Sequence, residues 1–83
     1  MKTKEFLQPK YWLVLIVEGE NGNITENMLH STNNLEALGS VISFYSSRVS
    51  DKVHLEVWKA ITYDPFDMPD EYKVIKEVRQ CQN

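Results

Sequence analysis

Cysteine is nearly absent from this chain. Cys81 is the only one, so no internal disulfide can form, which agrees with a reducing compartment. Histidine is scarce too: His30 and His54 are the only two. A zinc site draws three or four ligands at workable spacing, and these two with Cys81 match no recognised pattern. No metal and no cofactor is expected. Glycine is limited to Gly19, Gly22 and Gly39, which excludes a glycine-rich phosphate loop. Between Tyr11 and Ser47 there is no Lys or Arg; the only charged residues are Glu18, Glu20, Glu26 and Glu36. A general nucleic-acid binder needs a basic stripe along the phosphates, so direct nucleic-acid binding is not expected. The longest apolar run, Tyr11 to Val17, is far short of a membrane-spanning helix. The first ten residues lack the apolar core and small-residue cleavage site of a secretory signal. A cytoplasmic protein without membrane contact is the expectation, and Asn23-Ile24-Thr25 is then a chance match to a glycosylation pattern.

What the chain does contain is organised around that apolar run. Tyr11-Trp12-Leu13-Val14-Leu15-Ile16-Val17 is apolar throughout, as a strand covered on both faces would be. Val14, Ile16 and Val17 are β-branched and favour a pleated surface over a helix. Asn21-Gly22 fits a two-residue hairpin turn. Such a turn sets Glu20 opposite Asn23, Ile16 opposite Asn27, Val14 opposite Leu29 and Trp12 opposite Ser31. It also sets Leu15 opposite Met28 and Leu13 opposite His30. The second strand, Ile24 to Ser31, is only half apolar and reads as an edge.

At 83 residues the chain is one small domain, residues 1–83, with 1–10 as a loose lead-in in which Phe6 and Leu7 tuck under the sheet. Ser31-Thr32-Asn33-Asn34 is a cluster of capping residues, and Asn33 with Glu36 has capping-box spacing. Leu35, Leu38, Ile42, Tyr45 and Val49 recur at helical spacing, with Val41 and Phe44 widening the stripe; they predict an amphipathic helix from Asn34 to Arg48. Mid-helix Gly39 is explained if the helix approaches the sheet closely. Val53, Leu55 and Val57 alternate with His54, Glu56 and Trp58, predicting a strand from Val53 to Tyr63. Asp64 to Asp70 is a loop by its Pro and Asp content.

The tail, Glu71 to Arg79, supports two readings. Asp67 as a cap, Pro69 and Asp70-Glu71 in a first turn, a Val74-Ile75-Val78 stripe and Lys76 and Arg79 near the end fit a helix. A fourth strand is the alternative. The helix is preferred because the second sheet face needs a cover. The expected fold is therefore α+β: an antiparallel three-stranded sheet in the order β-β-α-β with a C-terminal helix.

Two surfaces stand out for function. Tyr63, Phe66 and Tyr72 flank Asp64, Asp67, Asp70 and Glu71, a set of aromatic anchors among carboxylates suited to a basic protein partner. The competing reading is that Phe66 and Tyr72 pack down and the acids only keep the loop soluble. The alternative interface is the face formed by Trp12, Val14, Ile16 and Trp58, which would suit a homodimer if left uncovered. No serine, Cys81 or carboxylate pair carries a catalytic pattern, so the chain is expected to be a binding protein and not an enzyme. In size, charge and architecture it resembles phage-encoded inhibitors of host defence systems, including anti-CRISPR and anti-restriction proteins. That resemblance implies an acidic inhibitor that occupies a basic, nucleic-acid-binding site on a partner; it rests on no motif and assigns no residue a role.

Overall fold

A computed structural model describes residues 9–66 and 68–80. It contains four strands and one helical segment: β1 Tyr11–Glu18, β2 Ile24–Thr32, α1 Leu38–Tyr45 flanked by 3₁₀ turns at Leu35–Ala37 and Ser46–Arg48, β3 Val53–Tyr63 and β4 Pro69–Val78. The strands form one antiparallel sheet in the order β2-β1-β3-β4. The apolar run is a central strand, paired on both sides. Among the described residues no helix is long and apolar enough to cross a membrane.

The C-terminal segment corrects the expected fold. Residues 69–78 are a fourth strand, and the sheet has four strands where three and a second helix are expected. Two physical reasons favour the strand. β3 is long, and without β4 its outer backbone groups would have no ladder partner. The stripe taken for a helix face is Val74, Ile75 and Val78, all β-branched and better suited to a pleat. Pro69, read as a first-turn helix residue, opens the strand instead, a position where its missing N–H costs little. Asp67, the candidate cap, lies outside the described residues, as do Phe6, Leu7 and Cys81.

The β1–β2 hairpin is also built differently from the two-residue turn. Glu18 pairs with Ile24, leaving Gly19 to Asn23 as the loop. The Gly22 amide donates to the Gly19 carbonyl at 3.0 Å, and the Gly19 amide to the Asn23 carbonyl at 2.7 Å. Gly22 takes φ +80°, the left-handed geometry that follows a tight turn in longer hairpin loops. The pairing is therefore one residue out of the expected register: Val14 faces Met28, Leu15 faces Asn27 and Ile16 faces Glu26. A bulge at Leu29 then restores it, and Leu13 faces His30 and Trp12 faces Ser31 as expected. The extra residue lets β2 supply both faces. Met28 packs against the cluster of Val14, Ile16 and Trp58, and Leu29 against that of Leu13, Leu38, Leu55 and Val57.

Alternation along β1 and β3 divides the core in two. Leu13, Leu55 and Val57 are buried beneath the helix, where Leu38, Val41, Ile42 and Tyr45 meet them. Val14, Ile16 and Trp58 form the second cluster on the opposite face, with Trp12 and Met28 against it. The helix starts at Asn34, whose Oδ1 accepts from the Glu36 amide at 3.1 Å. Asn33, the expected cap, instead accepts from the Lys10 amide at 2.9 Å, tying the entry of β1 to the helix start. Gly39 has nothing within 4 Å of where a Cβ would stand, so close approach to the sheet does not explain it.

Candidate functional site: a projecting hairpin arm

β3 and β4 outrun the rest of the sheet. β1 accompanies β3 only as far as Lys59 opposite Tyr11, with one further bond from the Ala60 amide to the Lys10 carbonyl at 2.9 Å. Beyond that, residues 61–71 continue as a two-stranded arm. The molecule is accordingly long, 51 × 29 × 16 Å, with a radius of gyration of 13.8 Å, against about 12 Å for a compact domain of this length.

The arm is ordered by its own polar groups. The Asp64 carboxylate accepts from the Phe66 and Met68 amides, both at 2.9 Å, and its amide donates to the Met68 carbonyl at 2.8 Å. This is the local capping that Asp offers in turns. One pair further back, the Glu71 amide donates to Thr62 Oγ1 at 3.2 Å, and that hydroxyl donates to Glu71 Oε1 at 3.3 Å. Closed in this way, the tip carries Phe66 at 84 % exposure, with Ile61 63 % exposed on the shaft. Asp70 and Glu71 are exposed as well. Residues 61–71 contain four acids and no Lys, Arg or His.

The sequence-selected residues thus separate into groups. Phe66, Asp70 and Glu71 stand on the arm surface. Asp64 is half-buried and engaged in the turn. Tyr63 is half-buried, and its hydroxyl has no partner among the described residues. Asp67 lies outside the described residues. Tyr72 lies further down the ladder: it is 38 % exposed, and one face of its ring stacks on Trp58 with centroids 3.6 Å apart and planes 4° from parallel. Its phenol is held above the usual 10, first by partial desolvation and then by the negative charges of Glu26 and Glu56. Ile61, overlooked in the sequence because it reads as one more strand residue, joins the arm surface.

The alternative interface residues do come together. Trp12 pairs with Trp58 across β1 and β3, and Val14 and Ile16 lie in the same cluster. Val14, Ile16 and Trp58 are buried within the single chain, and Trp12 is half-buried. Part of Trp58's cover comes from the tail, through Tyr72, although the tail is a strand.

At the opposite end of the β3–β4 ladder, roughly 30 Å away at ~3.3 Å per strand residue, His54, Glu56 and Glu77 cluster. Among the described residues they are the one group of metal-type ligands found together. Comparison of the chain with protein-family models, with curated proteins and with solved structures finds no match.

Proposed function

We propose that this chain is a non-enzymatic binding protein that inserts the β3–β4 arm into a basic site on a protein partner. The observation that carries the reading is Phe66: a large aromatic ring held almost wholly in solvent at the apex of a closed hairpin, on an arm with four acids and no base. An aromatic anchor ringed by charge has the make-up of a binding hot spot with a polar rim. Asp70 and Glu71 would meet Lys and Arg on the partner and speed association. Where the partner's basic site normally holds nucleic acid, these carboxylates stand in for phosphates and the protein acts as an inhibitor.

The test is affinity capture from cell lysate at low salt with three baits: wild type, Phe66→Ala, and Asp70→Lys with Glu71→Lys. The proposal expects a retained protein with a basic surface that is released by salt and missed by both variants. Equal retention by all three baits would remove the arm from consideration. Self-association through the Trp12 face is the competing reading. It would draw its interface from half-buried Trp12 and Met28 and from exposed Tyr72 and Val74 beside Trp58, and light scattering across a dilution series distinguishes it.

A further inference from the structure

We propose that His54, Glu56 and Glu77 form a binding site for a divalent cation of the zinc type, independent of the arm. His54 and Glu56 are two apart on β3 and therefore share a face. The β3–β4 register sets Glu77 directly opposite Glu56. The three ligand atoms lie within 4.8 Å of one another.

Glu56 is held for this task. Its Oε1 accepts from Trp58 Nε1 at 2.8 Å. The indole cannot move easily, being buried and covered by the Tyr72 ring. That leaves Oε2 facing His54 Nε2 at 2.9 Å, and both side chains are only 16 % exposed. The 2.9 Å contact is a hydrogen bond; tetrahedral zinc at bonds of about 2.0–2.2 Å sets its ligand atoms about 3.4 Å apart, so the ion would replace the shared proton and part the two groups by about half an ångström. A buried donor that fixes the orientation of a ligand carboxylate is the outer-shell support that metal sites rely on.

Charge points the same way. Like charges directly opposite across two strands repel, and Glu56 with Glu77 is such a pair. Arg79 relieves it in part, its Nε donating to Glu77 Oε1 at 2.9 Å. Two carboxylates against one guanidinium leave a negative charge uncompensated, which favours a cation. On its other side His54 borders an open cavity of about 370 Å³, lined also by Ser50, Asp51, Arg79 and Gln80. Arg79 is 60 % exposed, so it can stay on one Glu77 oxygen while the other turns inward, or swing out into solvent. The imidazole favours zinc over calcium or magnesium, which prefer all-oxygen shells.

Calorimetric titration of ZnCl₂ into the 83-residue chain tests the site. A Cys81→Ser background removes the one competing thiol, and His30→Ala controls for the other imidazole. The expected result is one zinc per chain, with affinity falling about tenfold or more, the scale of a disturbed metal shell, in Glu77→Gln and in His54→Ala but not in His30→Ala. Glu77 is on the exposed edge strand, so Glu77→Gln keeps the fold, which circular dichroism verifies. The Trp58 indole N–H resonance should also shift on zinc addition, reporting on Glu56. Absence of saturable binding in the Cys81→Ser chain, or binding that survives both Glu77→Gln and His54→Ala, would overturn the proposal, as would an indole resonance that zinc leaves unmoved.

Discussion

Two glycines with similar surroundings carry opposite consequences. Gly22 and Gly39 both have nothing within 4 Å of a would-be Cβ, so neither substitution is decided by a clash. Gly22 holds φ +80°, where an L side chain costs about 1–2 kcal/mol. Gly39 is in α1, where Ala is better than Gly by about 1 kcal/mol. Gly22→Ala should therefore lower the midpoint of urea unfolding and Gly39→Ala should raise it; shifts of the same sign would contradict this account of the β1–β2 loop. Tyr72 supplies a second residue-scale prediction. Its folded pKa is raised, so the fold favours the neutral phenol. That contribution is complete below the usual 10 and is lost as pH climbs through the folded value. Between pH 9 and 11 the wild-type urea midpoint should fall more steeply than that of Tyr72→Phe. Parallel declines would mean that the phenol carries no linkage.

Elements were legible in the sequence where local pattern and tertiary environment agree. The unbroken apolar run reads as a doubly covered strand, and β1 is the central strand. The alternation from Val53 to Tyr63 matches β3 to the residue, and the Leu35 to Val49 spacing anticipates the helical segment. For β4 the sequence offers the strand only as the second choice because its deciding partner is remote: the open edge of β3 lies outside any local window, while Pro69, Asp70, Lys76 and Arg79 mimic helix ends. The Leu29 bulge was hidden for a related reason. It compensates a loop longer than Asn21-Gly22 suggests, so the register is right near Trp12 and wrong near Ile16. With β4 read as a helix, Glu77 cannot be placed beside Glu56, and His54 has only His30 and Cys81 to be weighed with. The arm was visible only as a loop, since its projection depends on where β1 stops. The strand assignment has its own consequence. Tyr72 covers Trp58 only if β4 lies along β3, so in a Trp12→Phe background Tyr72→Ala should move tryptophan emission to longer wavelength. It should also cost about 0.5–1.5 kcal/mol for the lost ring pair beyond the area it uncovers. Unchanged emission would argue against the β3–β4 pairing.

The whole molecule is a four-stranded sheet with its helix on one face and its functional candidates at opposite ends of a single strand pair. At one end the β3–β4 ladder runs past its support and presents Phe66 with Asp70 and Glu71. At the other it brings His54, Glu56 and Glu77 together against the buried indole of Trp58. The central claim is that the arm is the binding surface, and its most direct measurement is the dissociation constant of the captured partner at low and high salt for wild type, Phe66→Ala, and Asp70→Lys with Glu71→Lys. The account predicts that wild-type binding weakens with salt, that the double-lysine chain binds weakly with little salt dependence, and that Phe66→Ala loses about 2 kcal/mol or more at both salts, as a hot-spot aromatic does. Affinities equal across the three chains and indifferent to salt would contradict it.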